Sequence, residues 1–224
     1  MTKKLPSPIT AFVATATLLF TVAGAQAQGV TGDVKAGESK AAMCIGCHGI
    51  PGYQNAFPEV HKIPMISGQQ AGYIMSALQA YKKGDRKHPT MRGMAGSLTE
   101  QDMADLAAFY SGHAGNVTVG DAPSKAAPAA VAALLEKGAC VSCHGANLSK
   151  PIDPSYPKVG GQHADYLYVA LKSYKTTDKE LIGRNQPVMG GIAKQFSNDE
   201  LKTLAEYVGS LPTDLKTVQP SRFR

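Results

Sequence analysis

Tryptophan is absent from this 224-residue chain, and Tyr and Phe together supply only 15 aromatic residues, too few for aromatic packing alone to build the core. Charged residues make up 18% and hydrophobic residues 43%, a globular composition that argues against a disordered chain. No apolar run reaches the roughly 18 residues of a confident membrane-spanning helix. Four Cys are few for a disulfide scaffold at this length, which suits one or two domains. Acidic residues are outnumbered, giving a formal charge of +6. What that basicity means depends on processing and on any charged cofactor.

The N-terminus changes the charge count. Lys3 and Lys4 precede an apolar stretch from Ile9 to Gly24, followed by the small-x-small triplet Ala25-Gln26-Ala27. This order of charged region, short apolar region and small-residue site predicts a signal peptide, residues 1–27, cleaved after Ala27. The mature chain then begins at Gln28 with a net charge of +4. Export places it in an oxidising compartment.

The cysteines fall into two identical patterns, Cys44-Ile45-Gly46-Cys47-His48 and Cys140-Val141-Ser142-Cys143-His144. Each is C-x-x-C-H, the attachment pattern of c-type haem. Two thiols at this spacing can add to the two vinyl groups of one haem, and the adjacent His then lies under the iron as proximal ligand. Thioredoxin-like redox pairs would need a strand-rich context that neither motif has. A shared zinc site or two local disulfides are the other readings of these residues. Two covalently bound haem c groups explain both patterns, through Cys44, Cys47, Cys140 and Cys143.

The chain also repeats itself. Cys44 maps onto Cys140 at an offset of 96, and Pro64, Gly68, Gln69, Tyr73 and Tyr81 map onto Pro157, Gly161, Gln162, Tyr166 and Tyr174 at 93. Arg86, Pro89 and Met91 map onto Arg184, Pro187 and Met189 at 98. The shifts fall in Gly-, Pro- and polar-rich stretches, where loops accept length changes. This divides the mature chain into domains 28–115 and 129–224, joined by a linker at 116–128.

The repeat selects the second axial ligands. A Met thioether usually completes the iron of an electron-transfer cytochrome c. Met189 is the only Met of the second domain. In the first, Met91 aligns with Met189, whereas Met94 aligns with Ile192 and reads as core. The expected iron ligands are therefore His48 with Met91 and His144 with Met189. Met43, Met65, Met75 and Met103 read as packing residues. His61, His88, His113 and His163 lack a repeated His and read as surface or supporting residues.

The remaining pattern is helix and loop. Helices are expected over Asp33–Met43, Gln69–Lys83 and Ala129–Gly138, with Tyr73, Ala77, Leu78 and Tyr81, echoed by Tyr166, Ala170, Leu171 and Tyr174, as core stripes. Ser197 to Glu200 is a capping box opening the last helix, with a weaker version at Thr99 to Asp102. No sustained strand pattern occurs, so the fold class is all-α.

Helix, haem motif, loop, helix, Met loop and helix, twice over, resembles the dihaem cytochrome c₄ family. The resemblance rests on both C-x-x-C-H motifs, on Pro64 to Gln69 and Pro157 to Gln162 (Pro-x-x-x-Gly-Gln), and on Arg86 to Met91 and Arg184 to Met189 (Arg-x-x-Pro-x-Met). It implies tandem class I cytochrome c domains related by a pseudo-twofold axis. It also implies the Pro64 and Pro157 carbonyls as acceptors for the proximal histidines. The implied role is periplasmic electron transfer from a cytochrome bc complex toward a haem-copper terminal oxidase, without enzymatic activity. The alternative is the electron-accepting cytochrome subunit of a periplasmic dehydrogenase complex. Peripheral association with the membrane is compatible with either. Four propionates would bring the mature chain near neutrality, so its basicity is no evidence for nucleic acid. The segments near Gln69 and Gln162 are the expected interdomain contacts.

Overall fold

The computed structural model describes residues 30–176 and 178–219, with Met1 alone of the preceding segment. The expected leader and its cleavage point lie outside the described residues. The first domain opens with α1 (Val34–Lys40) and α2 (Ala42–His48), which meet at Ala41. The single helix expected over Asp33–Met43 is therefore broken. Ala41 is fully buried, and its N–H is shared between the carbonyls of Gly37 and Glu38, which ends α1. The strands β1 (Gln54–Asn55) and β2 (His61–Lys62) form a two-residue hairpin ladder. Then come α3 (Ala71–Lys83), β3 (Arg86–Lys87), α4 (Pro89–Gly96) and α5 (Glu100–Ser111).

The second domain repeats this plan as α6 (Ala129–Lys137), α7 (Cys140–His144), α8 (Ala164–Ser173), β4 (Gly183–Arg184), α9 (Pro187–Ala193) and α10 (Asn198–Gly209). Local chemistry explains the boundaries. Both α5 and α10 carry full capping boxes, Thr99 with Asp102 and Ser197 with Glu200, so the first is no weaker in form. Both α4 and α9 start with Pro, where the missing N–H costs nothing. Gly84 takes the left-handed conformation that ends α3, at φ 91°.

Two apolar cores result. One gathers Ala41, Ile74, Leu106, Ala107, Phe109 and Tyr110; the other gathers Val131, Leu148, Leu167, Phe196, Leu201 and Leu204 among its members. Between the domains the contacts are polar. Strands β3 and β4 pair antiparallel across the junction, setting Arg86 opposite Arg184. The linker is tied to the second domain, with Tyr207 donating to the Lys125 carbonyl at 2.9 Å and the Asn147 amide to that of Gly120. After α10 the chain crosses back to the first domain: Gly115 N–H donates to Asp214 O at 2.6 Å and Lys216 N–H to Ser67 O at 3.0 Å.

Candidate haem sites

Helix α2 carries Cys44, Cys47 and His48, and α7 carries Cys140, Cys143 and His144. Residues three apart lie on one side of a helix, so each thiol pair faces the same direction. All four cysteines are free thiols. Burial pushes the Cys44 and Cys140 thiols above the usual range.

Each histidine is oriented by one bond. His48 Nδ1 lies 2.9 Å from the Pro64 carbonyl, and His144 Nδ1 lies 2.9 Å from that of Pro157. A carbonyl only accepts, so Nδ1 carries the proton and Nε2 keeps its lone pair for a metal. Burial lowers the pKa of both rings, outweighing the raising effect of the carbonyl bonds, and favours the neutral form a ligand needs.

In the second domain Cys140, His144 and Met189 line one pocket, walled by apolar side chains that include Leu148, Leu167 and Phe196. In the first domain Met91 is half-buried on α4 and its N–H is capped by His88 Nδ1 at 3.4 Å. Gln186 serves Met189 in the same way at 2.6 Å. Met94, expected in the core, is 37% exposed, because the buried face of this short helix is taken by Ala95. Met43 is likewise exposed, pointing away from the core that Met103 fills. His61 is buried rather than at the surface, its ring 5.8 Å from that of Tyr166.

The segments at Gln69 and Gln162 meet across the junction. Gln69 donates to Lys158 O at 3.0 Å and accepts from Lys158 N at 2.8 Å. Gln162 donates to Met65 O at 2.8 Å and accepts from Met65 N at 3.0 Å. Lys158 and Met65 each follow the Pro whose carbonyl orients a histidine. Each domain therefore holds the backbone that positions the other domain's His.

A polar cluster beside these contacts was hidden from sequence reasoning. Arg86 donates to Tyr73 at 3.1 Å and Tyr166 at 2.7 Å, and stacks on the Tyr81 ring at 4.5 Å. Arg184 donates to Tyr166 at 3.2 Å and reaches the Tyr174 hydroxyl at 3.5 Å. Burial favours the neutral Tyr166 phenol, but the two guanidiniums outweigh it and bring its pKa down to about 7. The tyrosines thus face the junction instead of completing separate cores. Their recurrence with a recurring Arg was the available signal. Neither guanidinium has a carboxylate partner among the described residues, and Arg86 Nε is buried without an acceptor. Buried cations left unpaired are costly. The cluster therefore calls for anions, and the propionates of two haems fit that need as the apolar pocket fits a macrocycle.

Comparison with known proteins agrees. The cytochrome c family profile matches residues 34–112 and again 128–212. Cytochrome c4 of Stutzerimonas stutzeri is 32% identical over 80% of this chain and 90% of its own length. A thiosulfate dehydrogenase electron acceptor from Stutzerimonas stutzeri strain A1501 is 30% identical over 88% of this chain and 92% of its own. The crystal structure of reduced cytochrome c4 from Pseudomonas stutzeri superposes with a TM-score of 0.57 at 28% identity, covering 81% of this chain and all of that one. With two C-x-x-C-H helices, two Pro-oriented histidines and one pseudo-twofold junction, this chain belongs to the dihaem cytochrome c4 family, a protein of two class I cytochrome c domains that carries two covalent haem c groups and transfers electrons.

Proposed function

We propose that this chain is an exported periplasmic shuttle that takes electrons from a cytochrome bc complex and passes them toward a haem-copper terminal oxidase. Cleavage after Ala27 is supported by the leader pattern at Lys3, Lys4 and Ala25-Gln26-Ala27. In this reading Cys44 and Cys47 anchor one haem and Cys140 and Cys143 the other. His48 with Met91 would hold the first iron, and His144 with Met189 the second.

The reciprocal bonding of Gln69 and Gln162 carries the proposal. It holds two redox pockets at a fixed separation, as a relay requires and as independent domains on a tether would not provide. Bound haem supplies a one-electron iron couple, with a potential raised by Met ligation. The chain does the rest. Pro64 and Pro157 hold the imidazoles in the ligating tautomer. Leu148, Leu167 and Phe196 keep water from the second pocket. Arg86 and Arg184 would balance the charge of the propionates at the junction. With Met91 and Met189 as ligands, neither iron would keep an open position for a substrate.

A second reading is favoured by the resemblance to a thiosulfate dehydrogenase electron acceptor: the chain accepts electrons from a periplasmic dehydrogenase oxidising a sulfur compound. Stopped-flow mixing separates the two. The reduced holoprotein should be oxidised rapidly by membranes containing a haem-copper oxidase, and the oxidised holoprotein reduced by the bc complex. Rapid reduction by thiosulfate dehydrogenase, with no exchange with either membrane complex, would replace the shuttle with the second reading.

A further inference from the structure

In each domain two hydrogen bonds meet on a single peptide group. The peptide joining Pro64 to Met65 accepts from His48 Nδ1 at its carbonyl, 2.9 Å away, and donates its N–H to Gln162 Oε1 at 3.0 Å. The peptide joining Pro157 to Lys158 does the same, accepting from His144 Nδ1 at 2.9 Å and donating to Gln69 Oε1 at 2.8 Å. Gln162 belongs to the second domain and Gln69 to the first, so both chains of bonds cross the junction. A further bond fixes which way each side-chain amide points: Gln162 Nε2 donates to the Met65 carbonyl at 2.8 Å, and Gln69 Nε2 to that of Lys158 at 3.0 Å. Each oxygen is also held from its own domain, by His163 N–H at 3.1 Å and by Gln70 N–H at 3.0 Å. Both glutamine side chains are buried, so little water competes for these bonds.

A peptide group passes polarisation from one end to the other. Donation by its N–H shifts amide electron density toward the oxygen and makes the carbonyl a stronger acceptor. Bonds linked in this way strengthen one another by roughly 10–30% each. A stronger acceptor at Nδ1–H makes the opposite ring nitrogen, Nε2, more basic. A more basic imidazole favours the oxidised, more positive iron and so lowers its reduction potential. We propose that Gln162 lowers the potential of the first haem and Gln69 that of the second, each acting through a peptide group of the opposite domain. The glutamines are then positioning residues for the other domain's ligand as well as ties between the domains. Docking and potential become linked, because parting the domains releases both peptides and raises both potentials.

The inference rests on His48 and His144 as iron ligands and is independent of the redox partner. It is tested in the full holoprotein by spectroelectrochemical titration, with haem-methyl NMR signals assigning each midpoint to its domain. Met has nearly the length of Gln and no amide. Gln162→Met should raise the first-domain midpoint and move the His48 Nδ1–H signal of the reduced protein upfield, with the second haem little changed. Gln69→Met should do the same to the second haem and to His144. With an unchanged small-angle scattering profile, a shift confined to the substituted domain, equal shifts in both haems, or no shift would overturn the proposal. If scattering shows that a Met variant parts the domains, Gln162→Glu and Gln69→Glu decide, since Glu keeps the acceptor oxygen. Each should lower the opposite domain's midpoint more than its own, and equal falls, or none, would overturn the proposal. A holoprotein whose NMR spectrum assigns another residue to either iron would overturn the ligand assignment itself, and is recognised before any variant is made.

Discussion

Met91 and Met94 lie nearly one helical turn apart on α4, and their surroundings differ. Met91 is half-buried with its N–H capped by His88, while Met94 is 37% exposed. A thioether ligand must face the haem pocket, so the less exposed Met91 is the proposed ligand. Met91→Ala should abolish the Met–iron band of the first haem and lower its potential by tenths of a volt, within the roughly 0.8 V that axial ligands span. Met94→Ala should leave both unchanged. Visible spectra and a redox titration of the two variants check this, and the reverse pattern would exchange the two residues. Met189 needs no such comparison, because it shares one pocket with His144 and Cys140.

Among the elements, the crossing of α1 on α5 is the most constrained. A Cβ on Gly37 would sit 2.1 Å from the Asp105 carbonyl oxygen and 2.7 Å from Phe109 Cβ. The helices approach this closely only because Gly has no side chain there. Asp105 secures the contact from the other helix, accepting from Asp33 N at 2.8 Å and from Gln101 at 2.8 Å, and pairing with Lys40. Backbone cannot yield as a flexible side chain can, so Gly37→Ala forces the helices apart. The expected cost is about 2–4 kcal/mol, at the upper end of overpacking. Calorimetry of the holoprotein should show the transition of the first domain lowered, with native-state hydrogen exchange accelerated in α1 and α5 but not in α10. Equal acceleration in both domains would show that the crossing is not a local feature.

For the whole molecule the decisive contacts are the two exchanged glutamine clamps. Both side chains are only 4% exposed, and each satisfies a donor and an acceptor on the other domain's backbone. Replacing both by Leu strands those backbone groups, at a cost of about 1–3 kcal/mol per unsatisfied buried group. Gln69→Leu with Gln162→Leu should broaden the interdomain distance distribution in small-angle scattering and split a cooperative melt into two. An unchanged scattering profile would place the stiffness elsewhere, in the β3–β4 pairing or the Asp214–Lys216 crossing. Equivalent patches used twice are what a homodimer uses, and here the duplicated chain supplies both copies covalently.

Much of this was legible in the sequence because it is local. The C-x-x-C-H motifs, the capping boxes at Thr99 and Ser197, and the Pro starts of α4 and α9 each depend on residues within one helical turn. The internal repeat extended that reach, aligning Met91 with Met189 and marking Gln69 and Gln162. Tertiary structure alone decided what each helical face meets. Tyr73, Tyr81, Tyr166 and Tyr174 have the spacing of a core stripe, yet they gather around Arg86 and Arg184 at the junction. Periodicity says which side of a helix is shared and is silent about its partner, which can lie about 80 residues away in sequence, as Tyr166 does from Arg86. The same limit hid the exposure of Met94 and Met43, the break at Ala41 and the return of the tail to Ser67, since each is set by packing between segments distant in the chain.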